Sequence, residues 1–243
     1  MVESDYISRV PIETVFLDAG GVLVHPSWVR VSEALLRHGV AVSPQALAVA
    51  EPRAMRELDE ATVIGGTDDR ARGWLYFDLV LRHAGVTLSP ATDAALSDLR
   101  EYHRTENLWE HVDPGVVPAL EALRARSLRL VVVSNANGRL RHLFDRLDLS
   151  QWFDHVLDSH DWGVEKPDPR LFQHALDESG AAADRTIHVG DLYHVDVVGA
   201  RRAGLHDAVL FDVADLYPHA DCRRVRTLDE LVTEMESDGF SRR

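Results

Sequence analysis

The sequence repeats one pattern, in which a short apolar run rich in β-branched residues ends at a polar residue. The runs are Thr14–Leu17 before Asp18, Leu128–Val133 before Ser134, Thr186–Val189 before Gly190-Asp191, and Ala208–Phe211 before Asp212. Helix-like stretches separate them, and strands that alternate with helices over short connections predict a parallel sheet covered on both faces. Because ligands bind beyond the carboxyl ends of such strands, the terminal polar residues indicate where a functional site lies.

The interval from residue 25 to residue 111 does not follow this pattern. Ser43-Pro44 and Ser89-Pro90 each place a capping hydroxyl before a first-turn proline, which predicts two helix starts. We interpret the interval as about four helices and no strand. Since it follows the first strand loop directly, we expect it to cover the carboxyl edge of the sheet as a lid.

These two patterns together predict the fold and its division into domains. We predict an α/β protein with a Rossmann-like, doubly wound parallel sheet core and an inserted all-helical cap domain. The core is expected to comprise residues 1–24 and 112–243, and the cap residues 25–111.

Composition excludes several classes of function and location. The chain has 26 Lys and Arg against 40 Asp and Glu, a formal charge of −14, which argues against nucleic-acid and anionic-membrane partners. No apolar stretch approaches the roughly 20 residues that cross a bilayer, and we expect no signal segment. The single cysteine, Cys222, excludes a disulfide framework within the chain and a cysteine-built zinc site, which favours a reducing, cytoplasmic compartment.

Four motifs carry residues that can do chemistry. In chain order they are VFLDAGGVLV with Asp18, Ser134-Asn135 after VVV, GVEKPDP with Lys166, and GDLYHVD with Asp191 and Asp196. Taken together, in this order and at strand ends, they resemble the haloacid dehalogenase-like (HAD) hydrolase superfamily, in its helical-cap, phosphatase-type subgroup. The resemblance covers almost the whole chain and implies catalytic roles for Asp18, Ser134 and Lys166.

Physical chemistry supports the same roles. A carboxylate at a strand end can attack phosphorus, but the negative charge of a phosphoryl group repels it. Mg²⁺ can bridge the two, and it prefers oxygen ligands. Asp18 and Asp191 would supply carboxylates, the backbone carbonyl of Gly20 is a third candidate ligand, and Asp196 would bind metal-bound water or orient Asp191.

Three further side chains are expected to contact the substrate. Ser134 offers a hydroxyl to a phosphoryl oxygen, and Asn135 and His25 are candidate substrate-binding residues. The cap adds weaker candidates, each of which also fits a surface or packing role: Arg53, Arg56, Arg72, Trp74 and Tyr76.

The lysine count also points to the site. Of the 26 basic residues only Lys166 is a lysine, and it falls in one of the four motifs. Its compact ammonium can pair with a carboxylate and a phosphate together, which suits this position better than a planar guanidinium.

One position departs from the family pattern. In phosphatases of the family that this chain resembles, a second aspartate follows two residues after the nucleophile. That aspartate protonates the leaving oxygen and then activates water. That position here is Gly20, so the acid–base group is missing, a loss of about 10²–10⁴-fold in rate where nothing compensates. Either the leaving group needs little help, or another group such as His25 or a water replaces the acid.

A glycine at position 20 also raises three other possibilities. A haloacid dehalogenase needs no acid. The resemblance implies, however, that enzymes of that branch have a metal-free site and lack the acid pair that Asp191 and Asp196 form here. The resemblance also includes phosphonoacetaldehyde-type hydrolases, which form an imine on a lysine of the cap. Residues 25–111 contain no lysine, so this branch is excluded. A non-catalytic phosphate-binding or regulatory protein is the remaining alternative.

The sequence favours a Mg²⁺-dependent phosphohydrolase that forms an aspartyl-phosphate on Asp18 and acts on a small phosphorylated metabolite. It leaves open the physiological substrate and pathway, the oligomeric state, the cap residues that set specificity, and the group that replaces the acid at Gly20.

Overall fold

The computed structural model describes residues 11–60, 63, 69–237 and 240, without the side chains of residues 69–72. In this part of the chain, six parallel strands form one sheet in the order β3-β2-β1-β4-β5-β6. The strands are β1 (Thr14–Leu17), β2 (Arg129–Ser134), β3 (His155–Asp158), β4 (Thr186–Gly190), β5 (Asp207–Phe211) and β6 (Arg223–Val225). The predicted parallel sheet is confirmed, and β3 and β6 are two strands that the sequence pattern did not indicate.

The helices alternate with these strands in the core and occupy the insert. They are α1 (Trp28–Arg37), α2 (Pro44–Leu58), α3 (Asp69–His83), α4 (Pro90–Thr105), α5 (Val116–Ala125), α6 (Leu140–Arg146), α7 (Ser159–Trp162), α8 (Pro169–Ser179), α9 (Val198–Arg202) and α10 (Leu228–Glu236). A single π-helical turn, Tyr193–Val197, precedes α9. None of the helices described is long and apolar enough to cross a membrane.

Both faces of the sheet are buried, and the central strand β1 shows how. Val15 and Leu17 point to one face, where they pack in a cluster with Leu120 of α5. Phe16 points to the other face, where it packs with Phe172 of α8. Burial on both sides explains why the strand sequences are continuous apolar runs, in which apolar and polar residues do not alternate. The doubly wound core is confirmed.

The insert forms its own helical domain. Ser43 and Ser89 cap α2 and α4 as predicted, since their hydroxyls accept hydrogen bonds from the N–H groups of Ala46 (3.1 Å) and Thr92 (3.3 Å). The four helices bury a separate apolar cluster that includes Phe77. The helical cap is therefore confirmed, and it has a core of its own.

The two segments that connect cap and core run side by side. The N–H of His25 donates to the carbonyl of His111 (2.8 Å), and the N–H of His111 donates to the carbonyl of His25 (3.0 Å). The N–H of Ser27 donates to the carbonyl of Leu108 (2.9 Å). This paired hinge lies at the predicted ends of the insert, although the domain boundaries themselves stay a prediction.

A second contact joins the cap to the core away from the hinge. Asp59, at the end of α2, is fully buried, and its carboxylate accepts hydrogen bonds from the N–H groups of Tyr193 (2.7 Å) and His194 (2.9 Å). It also accepts from the hydroxyl of Tyr217 (2.8 Å). We call these four residues the Asp59 latch. The latch ties α2 to the loop that follows β4, which carries Asp191.

Candidate active site

The predicted catalytic residues meet in one cavity between core and cap. Asp18 follows β1, Ser134 ends β2, Asp191 follows β4, and Lys166 lies in the loop before α8. All four line a cavity of about 840 Å³. Because β1 pairs with both β2 and β4 in parallel register, the carboxyl ends of these strands meet at the same edge.

Lys166 contacts two carboxylates at the floor of the cavity. It is 1% exposed, and its Nζ lies 2.9 Å from Oδ2 of Asp18 and 2.7 Å from Oδ1 of Asp196. Burial opposes a charge here, but the two carboxylates hold the pKa of Lys166 above its ordinary value. The ammonium is therefore charged, and it fixes two acids at once.

The backbone of Lys166 is held by Asn135. The N–H of Lys166 donates to Oδ1 of Asn135 (2.8 Å), and Nδ2 of Asn135 donates to the carbonyl of Lys166 (3.0 Å). Asn135 also lines the cavity, so its contact with substrate stays a prediction. Its role in the structure is to position the lysine loop against the end of β2.

Three carboxylates, from Asp18, Asp191 and Asp196, form what we call the acidic triad. One ligand oxygen from each lies within 4.8 Å of the others. Burial, together with Asp196 and Asp18, raises the pKa of Asp191 well above its usual range. Burial likewise raises the pKa of Asp18, against the influence of Lys166 and the Ser134 hydroxyl.

Asp196 behaves differently from the other two acids. Burial opposes its ionisation, but Lys166 and His188 hold the pKa of Asp196 well below its usual range. Its Oδ2 accepts a hydrogen bond from the N–H of Leu192 (3.0 Å). Asp196 is therefore a fixed negative charge that orients Lys166 and the loop bearing Asp191.

Two glycines make room for the triad. A Cβ at Gly21 would lie 1.9 Å from Oδ2 of Asp191, and one at Gly190 would lie 2.1 Å from Cγ of Asp196. Gly21 also has a φ of +74°, in the region that favours glycine. Close approach of the backbone to each carboxylate explains the glycine in both motifs.

His188 belongs to the site, although the sequence analysis did not single it out. It lies on β4, fully buried, with Nε2 2.8 Å from Oδ1 of Asp196. Burial lowers the pKa of His188, so the ring is neutral and Nε2–H donates to Asp196. In the described structure Nδ1 has no partner. The one signal in the sequence is a polar residue inside an otherwise apolar strand.

The acidic triad suits a hard divalent cation. Its donors are all carboxylate oxygens, which Mg²⁺ prefers, and three carboxylates face a single ammonium. The raised pKa of Asp191 shows that further positive charge would favour its ionised form. Asp18, Asp191 and Asp196 could therefore hold a metal ion. Gly20 lies in the loop that lines the cavity, and its carbonyl stays a predicted ligand.

Gly20 lies next to Nε1 and Cδ1 of the indole ring of Trp109, a residue that was not predicted from the sequence. A Cβ at Gly20 would lie 3.4 Å from Nε1 and 3.5 Å from Cδ1 of Trp109. Both residues line the cavity. Trp109 belongs to the segment that returns from cap to core, so no local motif marks it.

The remaining sequence candidates lie in different places. His25 is in the paired hinge, with Nδ1 3.9 Å from Glu51 and Nε2 3.6 Å from Asp113. It is not one of the described residues that line the cavity, and its contact with substrate stays a prediction. Of the cap candidates, Trp74 and Tyr76 line the cavity, Arg53 and Arg56 do not, and the side chain of Arg72 is outside the described residues.

The chain is similar in sequence to proteins whose names give a family or an activity. Haloacid dehalogenase-like hydrolase domain-containing protein 3 of Homo sapiens is 32% identical over 201 residues, 81% of this chain and 79% of that protein. A glyceraldehyde 3-phosphate phosphatase of Methanopyrus kandleri is 32% identical over 158 residues, 65% of each protein.

Solved structures share the fold over nearly the whole chain. YfnB of Bacillus subtilis, described as a HAD-hydrolase and bound to magnesium, has a TM-score of 0.67 at 17% identity and covers 93% of this chain and 99% of its own. A 2-haloacid dehalogenase of Pseudomonas syringae has a TM-score of 0.56 at 26% identity and covers 93% of this chain and 98% of its own. The fold alone thus does not choose between phosphatase and dehalogenase.

A family model described as haloacid dehalogenase-like hydrolase matches residues 12–204, which include all four motifs and the cap. The protein therefore belongs to the haloacid dehalogenase-like hydrolase family.

Proposed function

We propose that the protein is a Mg²⁺-dependent phosphohydrolase that cleaves a small phosphomonoester through an aspartyl-phosphate on Asp18. The observation that carries this proposal is the floor of the cavity, where Asp18, Lys166 and the rest of the acidic triad converge. A phosphoryl group is the substrate that needs both an oxygen nucleophile and concentrated positive charge.

Asp18 is fixed for attack. Its Oδ2 faces the ammonium of Lys166 at 2.9 Å, and its Oδ1 accepts a hydrogen bond from the N–H of Ala19 (2.7 Å). Burial raises the pKa of Asp18, and the charge of Lys166 acts in the opposite direction. A carboxylate held in one orientation loses little entropy when it reaches the transition state. In that step a bond forms between a carboxylate oxygen and phosphorus, and the ester P–O bond breaks.

Charge on the transferring group would be stabilised from two directions. Lys166 and the Ser134 hydroxyl are placed to meet phosphoryl oxygens, since both line the cavity beside Asp18. Magnesium, held by the acidic triad, would supply positive charge between the nucleophile and the phosphate. Water then hydrolyses the aspartyl-phosphate, which regenerates the carboxylate of Asp18 and releases phosphate.

The substrate class follows from the same residues and from the relatives. A phosphate monoester fits the charge arrangement, and the cavity of about 840 Å³ has room for a small metabolite. Relatives named glyceraldehyde 3-phosphate phosphatase support a small phosphorylated metabolite as substrate.

The absence of an acid at residue 20 would also suit two other functions. A haloacid dehalogenase expels halide, which needs no proton, but an anionic haloacid would meet the carboxylates of both Asp18 and Asp191 in this cavity. A non-catalytic phosphate-binding protein would need neither a fixed nucleophile nor an acid. The contacts that hold Asp18 support the enzyme over this alternative.

A substrate panel separates the three functions. We expect phosphate release from some members of a panel of phosphorylated metabolites with Mg²⁺, and none with a chelator. Chloride release from a 2-haloacid without metal would favour the dehalogenase. Binding of phosphate without turnover of any ester would favour the binding protein.

A further inference from the structure

The proposed function leaves one chemical need unmet. When the ester P–O bond breaks, its electron pair remains on the leaving oxygen, and Gly20 offers no acid to protonate it. We propose, building on that function, that the indole N–H of Trp109 donates a hydrogen bond to the leaving oxygen, so that the enzyme stabilises the departing anion without protonating it. The substrate is then a phosphate ester of an acidic alcohol, such as a phenol or an enol.

The position of the indole supports this role. A Cβ at residue 20 would lie 3.4 Å from Nε1 of Trp109, so the N–H edge of the ring borders the space that such a side chain would enter. Gly20 is two residues from Asp18 in the same loop, and both line the cavity with Trp109. The N–H edge therefore lies beside the nucleophile loop, on its cap side.

The ring is held rigidly by its neighbours. The backbone N–H of Trp109 donates to Oδ1 of Asn107 (3.0 Å). Ring centroids of Tyr76, Phe77 and His103 lie 5.9, 5.7 and 5.3 Å from that of Trp109. A donor fixed before the reaction stabilises developing charge without the cost of reorganisation. Within the described structure, no protein group accepts a hydrogen bond from Nε1.

His103 is a weaker candidate for the missing acid, although it lines the same cavity. Its Nδ1 accepts a hydrogen bond from the N–H of Leu108 (3.2 Å), and its Nε2 lies 3.0 Å from the side-chain amide of Asn137. Burial lowers the pKa of His103, so the ring is neutral near pH 7. Both ring nitrogens are therefore already engaged with protein groups.

Glu51 is also engaged. One carboxylate oxygen accepts from the indole N–H of Trp28 (3.1 Å), and the other accepts from the hydroxyl of Tyr76 (2.6 Å). Both oxygens of Glu51 are therefore already engaged as acceptors within the cap. The indole N–H is then the cap-side donor closest to Gly20 in the described structure.

The chemistry of an indole limits the substrates. An indole N–H donates a hydrogen bond but keeps its proton, so the leaving alkoxide or phenoxide departs as an anion and takes a proton from water afterwards. Anions of acidic alcohols tolerate this, whereas simple alkoxides do not. The dependence of rate on leaving-group pKa is therefore expected to be steep.

The first arm of the test uses Trp109→Phe, which keeps a ring and removes the N–H. With a series of substituted phenyl phosphates, we expect kcat/KM to fall about ten- to a hundredfold, the range for a hydrogen bond to a charged group. The loss should grow with leaving-group pKa. Trp162→Phe is the matched control, because it makes the same change at a tryptophan that does not line the cavity; its slope should equal that of the wild type. Equal slopes for Trp109→Phe and wild type would overturn the proposal.

The second arm needs no turnover. In Asp18→Asn protein with ¹⁵N-labelled tryptophan, the Nε1–H resonance missing from Trp109→Phe is assigned to Trp109. We expect it to move downfield when phenyl phosphate and Mg²⁺ bind, as a new hydrogen bond requires. Binding that shifts other resonances but leaves this one in place would refute the role of Trp109. Failure of the wild type to hydrolyse any ester, by contrast, would refute the proposed function.

Discussion

Lys166 contacts two carboxylates at once, and this double contact organises the floor of the cavity. Its Nζ lies within 3 Å of both Asp18 and Asp196. His188 contacts the same oxygen of Asp196 as Lys166 does, with Nε2 2.8 Å from Oδ1. Removing one partner of a buried ion pair typically costs about 3–5 kcal/mol, because the other charge is left uncompensated.

Asp196→Asn tests this network through pH. Lys166 and His188 overcome the effect of burial and hold the pKa of Asp196 below the value of about 3.9 expected for an unfolded chain. A lowered pKa stabilises the fold above the unfolded value, and this contribution is lost as the pH falls through the folded value. In urea titrations with chelator, wild type should exceed the variant in unfolding free energy by about 3 kcal/mol near pH 6. The difference should shrink below about pH 4. A difference that does not change with pH would contradict the network.

Gly20→Asp tests whether the missing acid accounts for substrate preference. The new Cβ would lie 3.4 Å from Trp109, a tight contact that a small shift can accommodate. We expect hydrolysis of alkyl phosphates to rise, with general acid catalysis setting an upper limit of about 10²–10⁴-fold. Initial rates on alkyl and aryl phosphates give the measurement. Gly20→Asn matches the shape without the acid, so a rise in both variants would contradict this explanation.

The sequence predicts the location of some residues of the candidate site and not of others. Asp18, Lys166 and Asp191 were predictable because each stands in a local motif at an end of the sheet. His188 and Trp109 were not, since their places in the site depend on contacts with distant residues. His188 is defined by Asp196 and Lys166, and Trp109 by Gly20, about ninety positions away.

At the scale of elements, loops after parallel strands do the positioning. The pairing of β1 with β2 and β4 explains why three sequence motifs share one edge. Strand β3 escaped prediction because HVLD has only two consecutive apolar residues between polar ones. Asp158 at its end nevertheless accepts hydrogen bonds from the N–H groups of Gly138 and Leu140 and so orders the loop after Ser134. Strand β6 is a three-residue edge strand that contains two arginines.

The Asp59 latch makes a further prediction at this scale. Asp59→Ala removes the acceptor for two backbone N–H groups and for the hydroxyl of Tyr217, all in the core. Leaving these donors unsatisfied should cost about 1–3 kcal/mol and lower the melting temperature. Mg²⁺ affinity should also fall, because the loop bearing Asp191 loses its support. Titration calorimetry and thermal unfolding measure the two effects.

Glu57→Ala is the matched control for the latch, since Glu57 is also on α2 but exposed. It should leave Mg²⁺ affinity unchanged. Equal Mg²⁺ affinities for wild type and Asp59→Ala would show that the latch does not support the metal-binding loop.

At the scale of the whole molecule, two separately packed bodies enclose one charged cavity. The cap has its own apolar cluster, and the core has one on each face of the sheet. The paired hinge and the Asp59 latch connect them. The order of motifs and the insert made this architecture predictable, whereas the latch depends on a buried aspartate that no local pattern distinguishes.

Charge in the acidic triad should affect the stability of the whole protein. Three carboxylates face one ammonium, so Asp191→Asn should leave the melting temperature of the metal-free protein unchanged or higher. A ligand that binds only the folded state raises stability, and this variant should lose the increase that Mg²⁺ gives the wild type. Asp161→Asn, at an exposed acid outside the cavity lining, should keep that increase. A normal Mg²⁺ response in Asp191→Asn would exclude Asp191 as a ligand.

The most direct test of the account is to detect the phosphoryl group on Asp18. Wild-type enzyme is mixed with excess phenyl phosphate and Mg²⁺, quenched in acid within the first turnover, digested and analysed by mass spectrometry. We predict that the peptide containing Asp18 gains the mass of one phosphoryl group, that chelator prevents this, and that Asp18→Asn shows neither the adduct nor turnover. Full turnover by Asp18→Asn would contradict the central claim that Asp18 is the nucleophile.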